Sequence, residues 1–334
     1  MNKMISVMLV LLMVLSLAAC GSSPAASGDS NNTADKADAG QKTEAEAGET
    51  QNGGAEGDKQ EAADSIQADT VFAENEIFRM TFKGIESSEP FYTVKIGFEN
   101  TSSEKTGYTD RVSNLAVNDF LLIDPDSFIH ITGEDQDYEL RLFKSDLEAI
   151  GIDSVDKIEK IAFSVGAYPN NKSLTKYECQ IYPTGLDESS YVRKGRDAMP
   201  GDVLVGETDQ VRLTAYWREG FDFVSCFKDE CLHRPVLIIE NTSGKDNLYA
   251  WEGFAINGIE LPDHYTGYSA SLKAGETAVI PMIKSIEDIS GLEEYNITKA
   301  EEVSFMLMIR HGDTAANASE VWYKCVMDQS DLHE

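Results

Sequence analysis

Four groups of side chains in this sequence have types and spacings that could do chemistry. Arg310-His311-Gly312-Asp313-Thr314 follows the apolar run Val303 to Met308 and sets an anion-binding guanidinium beside an imidazole. Asp124, Asp126, Glu134, Asp135 and Asp137 supply hard oxygen ligands in loops flanking one strand, a donor set of the kind that holds calcium. Trp217, Tyr249, Trp251, Tyr265 and Tyr268 cluster in the C-terminal half, where exposed rings could stack on sugars. The fourth group is the five cysteines, at positions 20, 179, 226, 231 and 325.

Each group also has a plainer reading. The arginine-histidine string resembles the R-H-G-x-T signature of histidine phosphatases, whose histidine takes the phosphoryl group. That signature opens a large α/β domain with a second histidine far downstream, and here the only later one is His333. Arg310-His311 falls where the first copy has Tyr168-Pro169, in the hairpin loop between the last two strands, and Gly312-Asp313 is ordinary turn chemistry. No catalytic residue is assigned, and the chain is read as a non-enzyme without cofactor. The acids lack the D-x-[DN]-x-[DN]-G spacing of a calcium loop, and acidic loops on an acidic exported protein are usually just solvated. Alternating aromatics fill sandwich cores more often than they line ligand sites. Cys226 and Cys231 would face each other at the mouth of a hairpin and form a candidate disulfide. Cys179 and Cys325 stay open between buried free thiols and a cross-domain bridge. Zinc is not expected, because the cysteines lack a second close pair and the five histidines are scattered.

Cys20 has a separate context. Lys3 precedes an apolar run from Met4 to Leu17, and small residues Ala18 and Ala19 lead into the cysteine. The run is shorter than the about 20 residues a membrane span requires. Leu17-Ala18-Ala19-Cys20-Gly21 resembles the bacterial lipobox, which implies acylation of the Cys20 thiol and cleavage on its N-terminal side. Residues 1–19 are therefore read as a lipoprotein signal peptide. Residues 20–69 follow as the lipidated cysteine and a disordered acidic linker, with Ile66 its only large aliphatic residue. A flexible chain of that length spans roughly 40 Å, enough to hold a folded part clear of a bilayer.

Charge narrows the partners. The sequence carries 58 acidic and 28 basic side chains, a net charge of -30. Residues 21–69 hold 11 acids and 3 lysines, and residues 71–334 hold 47 acids and 24 bases, so the folded part is acidic in its own right. Nucleic acid and direct capture by anionic lipid are excluded as electrostatic partners.

The elements that must position these residues come in two copies. Ile96 to Ser102 recurs as Leu237 to Ser243, and Leu115-Ala116-Val117-Asn118 as Phe254-Ala255-Ile256-Asn257. Phe143-Lys144-Ser145, Ile161 to Ser164 and Tyr177 to Cys179 recur in the same order as Ile283-Lys284-Ser285, Val303 to Met306 and Tyr323 to Cys325. Within each copy apolar residues alternate, as in Tyr92, Val94, Ile96 and Phe98, and turn residues interrupt every 8–15 residues, a pattern of antiparallel strands. Ser145 to Glu148 reads as a capping box and Ser285 to Asp288 as an approximate one, each opening one short helix. The expected fold is mostly β: two tandem immunoglobulin-like antiparallel β-sandwich domains, 70–185 and 202–328, joined by a linker 186–201 and followed by a tail 329–334. The E-N-[ST] turn, the A-[VI]-N-G and A-G-E segments and the I-x-x-[IV]-x-F strand together resemble a β-sandwich module of Gram-positive, clostridial-type lipoproteins. The resemblance implies the fold and carries over no catalytic residue.

The resulting expectation is a lipoprotein on the extracytoplasmic face of the cell membrane, anchored in the bilayer through Cys20. It would act as a binding or structural module of the envelope toward a protein or glycan. The alternative is an envelope hydrolase acting on glycan through carboxylates that the sequence does not single out. One test bears on the anchor: Cys20→Ala should release the protein into the medium, and its retention in the membrane fraction would refute the anchor.

Overall fold

A computed structural model of the protein describes residues 69–103, 106–108, 112–123, 135–170, 172–217, 235–261, 269–282, 295–297, 299–311 and 319–328. The first repeat contributes β1 (Thr70–Glu74), β2 (Phe78–Ser88), β3 (Phe91–Asn100), β4 (Thr106–Tyr108), β5 (Ser113–Val117), β6 (Phe120–Leu122), β7 (Gln136–Phe143), helix α1 (Lys144–Glu148), β8 (Ile161–Pro169) and β9 (Thr175–Ile181). The second contributes β10 (Asp202–Glu207), β11 (Arg212–Tyr216), β12 (Val236–Glu240), β13 (Asn247–Ile256), β14 (Ile259–Glu260), β15 (Ser269–Leu272), β16 (Thr277–Pro281), β17 (Glu302–His311) and β18 (Ser319–Asp328). The chain is thus mostly β, with several antiparallel sheets packed as a β-sandwich. Among the described residues no helix is long and apolar enough to cross a membrane.

Alternation in the sequence becomes burial. Phe78, Met80 and Phe82 on β2 and Val94 and Ile96 on β3 turn inward and are at most 1% exposed. The two repeats share their backbone devices as well as their strands. In each, an asparagine and its successor take positive φ between paired strands, Asn118-Asp119 after β5 and Asn257-Gly258 after β13. This is the two-residue hairpin turn whose twist matches the flanking strands. Asn118 Oδ1 accepts from the amides of Glu159 and Lys160, and its Nδ2 donates to the Lys157 carbonyl. Asn257 repeats the set with Glu301, Glu302 and Lys299. The first repeat has an aspartate where the second has glycine, and Asp119 Oδ1 there accepts from Lys160 Nζ at 2.8 Å. A tyrosine clamp recurs too: Tyr108 Oη donates to the Ile77 carbonyl at 3.1 Å, and Tyr249 Oη to the Gln210 carbonyl at 2.9 Å.

One expectation changes. The helix does not open with a capping box: α1 begins at Lys144, its N-cap is Phe143, and no side chain caps it. Ser145 is instead buried, with its hydroxyl 3.4 Å from Asp146 Oδ1. The counterpart 285–288 lies outside the described residues. The described residues of both repeats fall within one compact unit, Gln60–Glu334.

The physical reason is a shared sheet. β1-β2-β3-β7 form a sheet of the first repeat, and β14-β13-β17-β18 with β15 form one of the second. Between them runs a nine-stranded sheet in the order β10-β11-β12-β16-β6-β5-β8-β4, with β9 on β8. The repeats meet where β16 pairs in parallel with β6, Thr277 to Val279 against Phe120 to Leu122. Strands β12 and β16 are buried on both faces. Leu237, Ile239, Ala278 and Ile280 enter the second repeat's core, whereas Val236, Ile238 and Val279 join the first repeat's core with Leu147, Ile150 and Ile158. The exchange is mutual, since Leu121 and Ile123 pack against the second core. At the positions of Val236, Ile238 and Val279 the first repeat has Lys95, Gly97 and Asp137, and its outer face carries ion pairs such as Lys83–Asp137 at 2.6 Å.

Residues 186–201 are structure rather than a loose connection. The Arg196 side chain is 8% exposed, donating through Nε to the Ala149 carbonyl at 2.6 Å and through Nη1 to Asp202 at 2.8 Å. Gly201 has φ +93°, and a Cβ there would lie 2.6 Å from the Trp217 carbonyl oxygen, so no other residue fits.

Sharing the core makes a measurable prediction. Ile238→Ala should cost about 2–5 kcal/mol in urea denaturation, because it opens a cavity in a buried site. Lys95→Ala, which removes only exposed ion pairs, should cost about 0–1 kcal/mol. Hydrogen exchange in I238A should accelerate in both β3 and β13. Acceleration in β13 alone would mean that the repeats unfold independently.

Candidate functional site

A cleft of about 930 Å³ opens where the outer face of the first repeat's half of the shared sheet meets the β15 side of the second. The first repeat supplies Asn114 and Ala116 from β5, Leu121 from β6, Asp119 from the intervening turn and Glu178 from β9. Strand alternation sets their direction: neighbours Leu115, Val117 and Cys179 fill the core, so these side chains point outward. The second repeat supplies Leu248, Leu272 and Arg310 from strands and Asp246, Lys273 and Glu276 from adjoining loops. Arg193 reaches in from the connecting segment and donates to the Gly275 carbonyl at 2.9 Å.

Several of the charges are already held. Arg310 donates through Nε and Nη2 to Glu320 Oε1, at 2.9 and 2.6 Å. Asp246 accepts from the Ala274 amide at 3.1 Å, and Glu276 from the Lys273 amide at 2.8 Å. Glu178 accepts from the buried Ser164 hydroxyl at 2.7 Å, and that hydroxyl accepts from Asn114 Nδ2 at 3.2 Å. Among the described residues neither Glu178 nor Arg193 has a side chain of opposite charge as its ion-pair partner. The cleft therefore offers an acid and a base for a ligand, over aliphatic side chains. No aromatic ring lines it among the described residues.

The residues singled out in the sequence fall elsewhere. Trp217, Tyr249 and Trp251 are at most 3% exposed and sit in the second repeat's core, with Trp251 6.1 Å from Phe305 between ring centroids. They present no face to a ligand: alternation turns Tyr249 and Trp251 inward on β13, and Trp217 enters the same core just after β11. Tyr265 and Tyr268 lie outside the described residues, as do Cys20, Cys226, Cys231, Asp124, Asp126 and Glu134. The remaining two calcium candidates are otherwise engaged: Asp135 accepts from the Asn100 amide at 2.7 Å and Asp137 from Lys83 Nζ. Among the described residues no three acidic, histidine or cysteine side chains converge on a metal position.

Arg310 and His311 end β17 rather than lying in the loop beyond it. His311 Nδ1 is 2.6 Å from Asn247 Oδ1, and Nε2 is 3.1 Å from Gln210 Oε1. Asn247 Nδ2 is within reach of Asn241, Ser243 and Tyr249 oxygens, so its own oxygen faces the ring and His311 Nδ1 is the donor. Both ring nitrogens are thus committed to tying β17 to β13 and to the start of β11.

Arg193 was missed because residues 186–201 read as linker, and Glu178 because one acid among 58 carries no signal. A usable signal did exist for the junction. Val236-Leu-Ile-Ile239 and Ala278-Val-Ile280 are unbroken apolar runs, the mark of strands covered on both faces. Scanned against protein-family models and curated proteins, the chain matches none.

Cys179 and Cys325 are free and buried in separate cores, which settles their alternative in favour of thiols. Burial pushes Cys179 up to about 12 and Cys325 up to about 11. Their neutral forms contribute fully below the unfolded thiol range of about 8.5–9, and the contribution is lost as pH climbs from there through 11–12. Iodoacetamide at pH 8 should leave both unlabelled in the native protein and label both in urea, as read by peptide mass mapping. Native labelling of either would contradict its burial.

Proposed function

We propose that this chain is a lipid-anchored binding module on the extracytoplasmic face of the cell membrane, with the inter-repeat cleft as its ligand site. The anchor reading rests on the run from Met4 to Leu17, on Ala18-Ala19-Cys20 and on the acidic segment after it. Two acyl chains hold a protein to a bilayer stably where one does so only marginally. A tether of that composition leaves the sandwich free to meet partners in the envelope. The resemblance to clostridial-type lipoprotein modules points the same way.

One observation carries the binding role. The cleft is assembled from both repeats and from Arg193 of the segment between them, so the tandem fold creates a site that neither repeat has alone. Its size is that of sites that take small ligands or a short stretch of a larger one. The ligand is an envelope protein or a glycan.

A photoreactive phenylalanine analogue at the exposed cleft residue Ser271 should crosslink discrete envelope species on intact cells. The same analogue at Lys83, on the outer face of β2, should not. Arg193→Ala combined with the Ser271 probe should reduce the crosslink several-fold. Identical patterns from both positions would remove the cleft as the binding site.

A further inference from the structure

We infer that the ligand of the cleft is a polypeptide, gripped as an extended segment running from Glu178 and Arg193, past Leu248 and Arg310, to an apolar row ending at Trp322. This rests on the cleft being the ligand site and adds to it a ligand class and a second contact surface.

The two surfaces are continuous. Leu248 and Arg310, both in the cleft, are cross-strand partners on β13 and β17. Two residues along the same face, Ala250 pairs with Met308, and Met308 pairs with Trp322 on β18. Met306 and Val326 extend this face, opposite Lys324 and Ser304 respectively. From Leu248 to Trp322 is about 7 Å along the strands and roughly 10 Å across them, which about four extended residues cover. Trp322 is 42% exposed and Val326 39%, whereas Trp217 and Trp251 are buried.

The first repeat is an internal control. At the positions of Leu248, Met306, Met308, Trp322 and Val326 it carries Gly107, Ser164, Gly166, Lys176 and Gln180. The same strands at the same register thus fold with small or polar residues on this face, so folding alone does not require a tryptophan there. Trp322 and Val326 stand exposed on one outer face over the half-buried Leu248 and Met306 and the buried Met308. Apolar surface of this kind marks an interaction site, and tryptophan and arginine are the residues that anchor protein partners. The cleft adds an acid and a base over aliphatic side chains. Both signs of charge next to an apolar row match a polypeptide, which carries all three chemistries within a few residues.

The test pans a phage library of linear twelve-residue peptides on the full chain, then measures the enriched peptides against variants. Trp322→Lys installs the first repeat's residue, which this scaffold accepts, and an unchanged thermal melt confirms folding. Expected are peptides with an apolar anchor beside charged residues, binding at least tenfold more weakly to W322K and several-fold more weakly to Glu178→Gln, with Lys83→Ala unchanged. Weakening by E178Q and Arg193→Ala but not by W322K would overturn the extended grip and leave the cleft standing. Enriched peptides indifferent to all three would overturn both. A tetrasaccharide of N-acetylglucosamine that binds in an R193A-sensitive way, with no peptide enriched, would make the ligand a glycan and sink the inference. Concentration-dependent dimers abolished by W322K in sedimentation would do so as well, by making the apolar row a self-contact.

Discussion

Everything else in the molecule depends on covering the outer face of β12 and β16. Val236, Ile238 and Val279 are at most 2% exposed, and they are buried by the other repeat. Each such side chain is worth about 1.5–3 kcal/mol when removed from water. Exposed ion pairs of the kind that coat the equivalent face of the first repeat contribute about 0–1 kcal/mol each. The apolar term therefore decides the architecture, and a second repeat alone would expose three large side chains in a row. Parallel pairing of β16 with β6 follows, since it brings that face into line with the first repeat's core.

The same asymmetry ends the array. In the first repeat the corresponding strands, β3 and β7, carry Lys95 and Asp137 outward, and the face is laced by Arg79 with Glu99 and Lys83 with Asp137. Burying a charged outer face in another copy would desolvate those groups, a cost that the apolar face of β12 and β16 does not carry. The two repeats thus differ in role, one a cap and the other a docked unit. The devices that set the turns are the same in both: the Asn118 and Asn257 clamps and the tyrosines Tyr108 and Tyr249. They satisfy backbone groups at positions where strands end, and neither repeat can dispense with them.

The cleft is a by-product of the junction. Docking the second sandwich edgewise leaves the outer face of β5, β6 and β9 looking at the side of β15 across a gap. The gap is lined by whatever those faces carry, which explains its mixture of leucines and charges. His311 and Arg310 show how little a local string says about such a place. Arg310 reaches the cleft, but its neighbour is locked by Asn247 and Gln210 into the frame of the sandwich.

Local periodicity and self-similarity were enough to read strands, turns and the twofold repeat, because side-chain alternation and turn residues act within a few positions. They also placed Cys179 and Cys325 at matching sites, and the lipobox-like Ala18-Ala19-Cys20 needs no fold to be recognised. The number of compact units was not legible in the same way. It depended on which face of β12 and β16 found a partner more than 100 residues away, and Thr277 does not announce its pairing with Phe120. The direction of Trp251 against Trp322 was likewise decided by pleat and register, which sent one into the core and left the other on the surface. Composition and pattern determined what the chain could build, and long-range burial alone decided where its two halves touch and what the gap between them displays.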